Sequence, residues 1–234
     1  MREIINILFG SAEPIAVAAA VVVYLKESPS RKIRQQKDLA EMLESAAKFT
    51  DSQVLVDALE KVNFEGVSLA RLDFSRIETL AKIRLVKSAL QGTRFDRVNL
   101  QRANFQKSQL QGASFESAGL RGANLSEANL RDANLSKADL KGANLEKSDL
   151  ANSNLNGATL ENTRLQNAQL RKANLYQANL KNAILTDANL RDADLTDADL
   201  SNAKLHRVNL KNTRFSNTTM PNGNIWDKNV RDFW

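Results

Sequence analysis

The chain has no cysteine and only one histidine, two of the side chains on which catalytic and metal sites most often depend. Without cysteine there is no disulfide framework, thiolate nucleophile or thiolate metal ligand, and a reducing compartment fits this composition. The motifs HExxH and GxSxG are absent, and the 9 glycines nowhere form a loop that could cradle a phosphate. These absences predict a protein that is not an enzyme and that holds no cofactor or metal.

Long hydrophobic runs are scarce too, and the chain has only one, from Ile4 to Leu25. Glu13 is the single formal charge in this run. As a helix, its 22 residues would span about 33 Å, enough to cross a bilayer core of about 30 Å. Basic residues follow the run from Lys26 onward, whereas only Arg2 precedes it, which by the positive-inside rule leaves the bulk of the protein in the cytoplasm. The sequence therefore predicts a single-pass membrane protein whose later domains are cytoplasmic.

Residues 1–29, which contain this run, are the candidate membrane anchor, and the same run also fits other kinds of segment. Glu13 and Pro14 interrupt it and leave only residues 15–25 continuously apolar, a length typical of a signal-peptide core or a buried helix. A signal peptide needs a polar, small-residue cleavage region, yet Leu25 is followed directly by charged residues. The alternatives are therefore a soluble cytoplasmic protein with a peripheral or partner-docking helix, and a cleaved signal.

The most regular feature is a large apolar residue at every fifth position from about Leu110 to Phe215. A small residue usually stands two positions earlier, with Asn or Asp between them, so that residues 122–150 read GANLSEANLRDANLSKADLKGANLEKSDL. A period of five is neither the 3.6 of a helix nor the 2.0 of a strand. Self-similarity at a fixed short period predicts a solenoid, in which each unit packs only on its neighbours.

The motif A(D/N)LXX resembles that of the pentapeptide-repeat family, and about two dozen copies in phase occupy residues 62–220. The resemblance implies an all-β solenoid, a right-handed quadrilateral β-helix with four pentapeptides per coil. It also implies that the central Leu or Phe and the preceding small residue point inward, while the other three positions face solvent. About eight coils stacked about 4.8 Å apart would make a rod of about 38 Å.

Two α-helices are predicted before the repeat, in residues 30–61. Ser30 to Lys48 carries an approximate apolar stripe, and Thr50 or Asp51 could cap a shorter helix that runs through Lys61. We expect both helices to act as a linker and to cover the first coil, whose backbone edge would otherwise be open.

The first pentads are less regular than the later ones. The repeat is predicted to begin near Val62, with Phe64 and Phe74 as central residues and larger side chains in the small-residue position. The next central residue is Leu80, so the phase slips by one position. One inserted residue predicts a bulge or corner loop, and the alternative is a short helix over residues 77–90.

An aromatic tail, PNGNIWDKNVRDFW in residues 221–234, follows the repeat. Its aromatic residues are Trp226, Phe233 and Trp234. One prediction is that the tail folds over the last coil and hides its edge. The other is that these aromatics form a partner or dimer surface at the C-terminal end, as aromatic anchors often do.

Positive charge on the repeat is predicted to concentrate on two opposed faces. The repeat holds 23 Lys and Arg against 16 Asp and Glu, so the rod is mildly basic. Reading the position after each central residue at a spacing of one coil gives a candidate partner-docking stripe of Arg131, Arg171, Arg191 and Lys211. The opposed position gives a second basic face of Arg121, Lys141 and Lys181. Each is either a solvated stripe or a docking strip for an acidic partner or anionic lipid head groups.

Outward-facing titratable residues offer little chemistry. His206 directly follows the buried position Leu205 and so points outward as an ordinary surface residue. The acidic residues of 192–197 would form at most a weak cation site. Nucleic acid is not an expected partner, because the faces lack stacking aromatics apart from Tyr176.

These features predict a non-catalytic scaffold, a stiff and membrane-tethered rod that offers flat faces to an unidentified protein partner. The family resemblance supplies an alternative, since some members mimic duplex DNA and modulate gyrase. Such mimicry needs a strongly acidic surface in place of phosphates. The basic surplus of this repeat argues against it.

Overall fold

The computed structural model describes residues 52–64, 66 and 68–226. The predicted anchor, the first predicted helix and the tail residues Phe233 and Trp234 lie outside them. Within the described ranges no helix is long and apolar enough to cross a membrane. Helix α1 (Ser52–Phe64) has 13 residues and spans about 20 Å, short of a bilayer core of about 30 Å. This finding contradicts the predicted localisation as a single-pass membrane protein, and membrane tethering forms no part of the function proposed below.

Helix α1 packs against the start of the repeat. Its buried apolar side chains follow helical spacing and are Leu55, Val56, Leu59 and Val62. Polar groups meet the coil as well: Glu60 accepts a hydrogen bond from the backbone N–H of Arg84 at 2.8 Å. Asn63 accepts one from the hydroxyl of Ser88 at 2.5 Å. The helix thus covers the apolar start of the coil and supplies acceptors to two of its polar groups.

The position of Phe64 corrects the predicted start of the repeat. The sequence made Phe64 a buried central residue, but α1 continues to Phe64 and leaves its side chain 88% exposed. Val62 is buried by the helix instead, because it lies seven residues after Leu55 and so shares its face. The first backbone contact of the repeat comes at Leu69, whose N–H donates to the carbonyl of Ala89 at 3.0 Å.

From Leu69 to Met220 the chain winds into a parallel β-helix. Isolated parallel bridges join residues that lie 20 positions apart, such as Asn104 with Asn124. One column of bridged residues consists of Thr79, Asn99, Gly119, Asp139, Thr159, Asn179, Asp199 and Thr219. Each side of a coil contributes a single bridge and no extended strand, because two of every five residues lie in the turn to the next side.

The phase slip is absorbed inside one coil. Asp73 pairs with Arg94, which is 21 positions further on, whereas Thr79 pairs with Asn99, 20 positions further on. The turn after Phe74 is ordinary, with the N–H of Ile77 donating to the Phe74 carbonyl at 2.8 Å, and the extra residue follows it, between that turn and the bridge at Thr79. Residues 77–90 carry bridges and form no helix. The prediction of one inserted residue absorbed as a bulge or corner loop is confirmed, and the alternative of a short helix is wrong.

The core is a column of central residues and small residues inside the coils. Every central residue from Leu80 to Leu200 is at most 2% exposed. Near the N-terminal end three phenylalanine rings stack along one side of the core. The ring centroid of Phe95 lies 5.1 Å from that of Phe74 and 5.1 Å from that of Phe115. The predicted inward positions are confirmed from Leu80 to Leu200, and larger rings fill the first coils.

The Asn or Asp before each central residue has a local structural cause. Asn124, for example, accepts a hydrogen bond from the backbone N–H of Ser126 at 3.1 Å, the geometry of an Asx turn. The next residue, Glu127, adopts a φ of 59°, in the left-handed region. The turn closes when the Ala128 N–H donates to the Leu125 carbonyl at 3.1 Å. Asn and Asp are therefore selected because they hold the corner of the coil.

Candidate interaction surfaces

The four residues of the docking stripe lie on one edge of the rod. Each is the first turn residue after a central leucine on the same side of the coil, and each is exposed. At about 4.8 Å per coil, the stripe from Arg131 to Lys211 is about 19 Å long. The fold therefore places the four side chains in one line with one interruption, at Ala151.

Two of the four stripe residues contact acidic groups. An Arg131 guanidinium nitrogen lies 3.4 Å from a carboxylate oxygen of Asp149, and Arg191 Nε lies 3.3 Å from one of Asp192. Arg171 and Lys211 form no ion pair with any residue in the part of the chain that the structure describes. The stripe thus keeps a surplus of positive charge, concentrated at Arg171 and Lys211.

On the second basic face every cation contacts an acid one coil further on. The nitrogen-to-oxygen distances are 3.7 Å for Arg121 and Asp139, 2.8 Å for Lys141 and Glu161, and 3.1 Å for Lys181 and Asp199. The hydrogen bond from Lys141 holds the pKa of Glu161 below its ordinary value. The charge of this face is therefore largely balanced within the rod, a distinction between the two faces that composition alone does not make.

The acidic residues of 192–197 form hydrogen bonds within the rod. Asp192 accepts from the side-chain amide of Asn212 at 2.9 Å, and Asp197 accepts from that of Asn217 at 2.8 Å. The bond from Asn212 lowers the pKa of Asp192. Across the described ranges no three His, Cys, Asp or Glu side chains group as metal ligands. His206 is exposed on the last turns of the repeat.

The C-terminal end of the rod is covered by the start of the tail. Trp226 packs on Phe215 with ring centroids 4.8 Å apart, and the backbone N–H of Trp226 donates to the Thr218 carbonyl at 2.7 Å. Thr219 and Ile225 form an antiparallel bridge. As far as Trp226 the tail folds back over the last coil, as the first of the two predictions for it stated. Ile225 remains 53% exposed beside it.

The gap in the docking stripe forms a notch that sequence reasoning did not single out. Ala151 is 7% exposed and replaces the long side chain found at this position in the neighbouring coils. The notch has a volume of about 280 Å³. It is lined by Arg131, Asp149, Ala151, Asn152, Gln169, Arg171 and Lys172. Its sequence signal is a small residue between two arginines in a column read at a spacing of 20.

Two family models match the repeat. One, for pentapeptide repeats in eight copies, matches residues 80–116 and 113–152, and the other, for a pentapeptide repeat region, matches residues 138–215. Together they span residues 80–215, more than half of the chain. The chain belongs to the pentapeptide-repeat family. Pentapeptide-repeat proteins form right-handed quadrilateral β-helices and are generally structural or interaction proteins.

Solved structures of other pentapeptide-repeat proteins resemble this chain. Rfr23 from the cyanobacterium Cyanothece 51142 is 39% identical over 42% of this chain and 64% of its own, with a TM-score of 0.38. HetL, involved in heterocyst differentiation regulation in the cyanobacterium Nostoc sp. strain PCC 7120, is 26% identical over 68% of this chain and 91% of its own, with a TM-score of 0.29.

A third solved structure is similar at lower sequence identity. QnrB1, a plasmid-mediated fluoroquinolone resistance protein, is 21% identical over 61% of this chain and 76% of its own, with a TM-score of 0.43. No curated protein matches this pentapeptide-repeat chain.

Proposed function

We propose that this pentapeptide-repeat protein is a non-catalytic interaction rod, and that it docks an acidic surface of a protein partner along the stripe of Arg131, Arg171, Arg191 and Lys211. The observation that carries the proposal is the charge surplus of this edge. All four side chains are exposed, and two of them form no ion pair within the described residues. Complementary charge of this kind steers association and sets register.

The rigidity of the coil supports docking better than catalysis. The backbone of each stripe residue is held by a turn whose hydrogen bonds are repeated in every coil, so the four side chains start from a fixed spacing along the rod. The interior is filled by central residues that are at most 2% exposed from Leu80 to Leu200, which leaves no room for a substrate pocket inside this part of the coil. A preformed backbone avoids the cost of ordering a flexible loop on binding, although the side chains themselves are still ordered.

The second basic face, the C-terminal end and the rod itself have smaller roles in the proposed docking. The second basic face contributes less, because each of its cations is already paired with an acid. Trp226 covers the end of the rod, so a partner or dimer contact at the C-terminal end would depend on Phe233 and Trp234. The rod of about eight coils and the preceding helical segment, predicted from the sequence, serve as its support.

The test is a matched pair of charge-reversed variants. The stripe variant carries Arg171→Glu, Arg191→Glu and Lys211→Glu, and the control carries Arg121→Glu, Lys141→Glu and Lys181→Glu, so both change the net charge equally. Each is used with the wild type to capture partners from native extract, with quantitative mass spectrometry as the readout. Thermal melting confirms that both variants fold.

We expect one or more acidic proteins to be captured by the wild type and the control and lost from the stripe variant. Retention of every captured protein by the stripe variant would overturn the proposal. Equal loss from both variants would also overturn it, because it would show a response to net charge and not to this edge.

A further inference from the structure

The notch at Ala151 has the chemistry of an anion site. Its lining includes the cations Arg131, Arg171 and Lys172 and a single acid, Asp149, so its formal charge is positive. Asp149 lies 3.4 Å from Arg131 and partly neutralises it. Arg171 and Lys172 form no ion pair in the described part of the chain, and both are exposed. The donors that no ion pair occupies are therefore the two cations on one side of the notch, and Asp192 lies near enough for both to help lower its pKa.

The polar neutral groups of the notch are mostly engaged elsewhere. The side-chain amide of Asn152 donates to Asp132 at 3.0 Å, and the side-chain oxygen of Gln169 accepts from Asn189 at 3.1 Å. The side-chain nitrogen of Gln169 donates to the Asn167 carbonyl at 3.5 Å, so Arg131, Arg171 and Lys172 are the charged donors of the notch. Ala151 itself forms an apolar floor, and its N–H already donates to Asp149 at 3.0 Å.

The size of the notch selects among ligands. A volume of about 280 Å³ is below the range of roughly 300–1,000 Å³ typical of small-molecule pockets. No aromatic side chain lines it, so it offers nothing on which a nucleobase could stack. Two arginines two coils apart, about 10 Å from each other along the rod, flank a gap one side chain wide. A planar carboxylate is a group that a guanidinium recognises with two parallel hydrogen bonds, and an acidic surface of a protein partner supplies it as an Asp or Glu side chain.

We propose that the Ala151 notch seats a carboxylate side chain, Asp or Glu, of the protein partner, held chiefly by Arg171 and Lys172. The proposal rests on the proposed function and locates its central contact. Ala151 fixes the register of the partner along the rod, since it is the one position in the stripe where a partner side chain can enter between the cations. The remaining stripe residues then contribute charge without specifying position.

The experiment uses the full chain and a blocked hexaglutamate peptide, N-acetylated and C-amidated, as the probe in calorimetric titration at low salt. The variant Ala151→Gln fills the notch without changing any charge, and Gln111 shows that this column accepts glutamine. Arg171→Gln removes a notch cation, and Arg191→Gln removes one stripe cation outside the notch. Thermal melting verifies that each variant folds.

We expect Ala151→Gln and Arg171→Gln each to weaken hexaglutamate binding about tenfold, and Arg191→Gln to weaken it about twofold. Equal loss in the two arginine variants with no effect of Ala151→Gln would overturn the notch while leaving the docking stripe intact. Absence of hexaglutamate binding to the wild type would overturn both. Competition by inorganic phosphate, tighter than the peptide and abolished by Ala151→Gln, would replace the carboxylate with a free anion and so overturn the assignment.

Discussion

At the scale of single residues, the small-residue position shows how the coil treats a buried hydroxyl. Ser148 and Ser153 occupy this position in successive pentads, and both are at most 1% exposed. The Ser148 hydroxyl donates to the Leu145 carbonyl at 2.7 Å. The Ser153 hydroxyl has no hydrogen-bond partner among the described residues. At the same repeat position, the serine hydroxyl therefore stabilises the fold at residue 148 and destabilises it at residue 153.

Replacing Ser153 with Ala should raise the free energy of unfolding by about 1 kcal/mol, because the change removes a buried hydroxyl that lacks a partner. The matched change Ser148→Ala should lower the free energy by about 1 kcal/mol, because it removes a hydrogen bond. Chemical denaturation of the three proteins measures both differences. Shifts of the same sign and size in the two variants would contradict the assigned hydroxyl orientations.

The sequence predicts that both serines point inward, because the period of five fixes which positions face the core. It does not predict which hydroxyl finds an acceptor, since that choice depends on a side-chain rotamer in three dimensions. The inward direction of Leu140 and its neighbours was likewise predictable. The exposure of Phe64 was not, because residues 55–64 satisfy a helical and a five-residue pattern at the same time.

At the scale of one coil, ion pairs form between residues about 20 positions apart in the sequence, because such residues lie next to each other on adjacent coils. Arg207 donates two hydrogen bonds to Asp187, at 2.6 and 2.8 Å. These bonds hold the pKa of Asp187 below its ordinary value of 3.8. Reading the sequence in columns would identify this pair, but the bidentate geometry is visible only in the folded coil.

The lowered pKa of Asp187 predicts how stability depends on pH. The pair stabilises the fold above the ordinary carboxyl pKa of 3.8, and this contribution is lost as the pH falls through the lower pKa of the folded state. Arg207→Gln should therefore be less stable than the wild type at neutral pH, and the difference should disappear as the pH falls through the lowered pKa of Asp187 in the folded state. Denaturation at several pH values measures it.

Lys204→Gln provides the control for this pH series. It removes the same charge in the same coil from a side chain that forms no ion pair among the residues described. We expect its effect on stability to be small and nearly independent of pH. A pH-independent deficit in Arg207→Gln, or an equal pH dependence in both variants, would show that the Asp187 pair does not couple folding to protonation.

At the scale of the whole rod, stability depends on neighbours along one axis. A central residue in the middle has a coil on each side, whereas Leu205 in the last coil is only partly buried. Leu140, by contrast, is 0% exposed. The rod should therefore be most sensitive to change at its centre and least sensitive at its C-terminal end.

Leu140→Ala should lower the free energy of unfolding by about 3 kcal/mol, because the removed atoms leave a cavity that neighbouring coils cannot fill. The same change at Leu205 should cost about 1 kcal/mol, because part of that side chain is already in contact with water. Both values come from denaturation curves. A larger loss at Leu205 than at Leu140 would contradict the burial pattern.

The family, the coil and the inward positions of this molecule were predictable from the period of the sequence. The difference between the two basic faces was not, because it depends on which acids lie within reach one coil away. Asp139, Glu161 and Asp199 balance the second face, and no such acid contacts Arg171 in the described part of the rod. The predicted stripe thus becomes a specific proposal only after the coils are stacked.

The most direct test of the docking stripe is site-specific photo-crosslinking from the four corners of one coil. A photoreactive amino acid replaces Lys181, Thr186, Arg191 or Thr196 in turn, and the crosslinked partner is identified and quantified by mass spectrometry. If the stripe docks the partner, position 191 should give one dominant crosslinked protein, and the other three corners should give little. Equal yields at all four corners, or a maximum at a corner other than 191, would contradict the account.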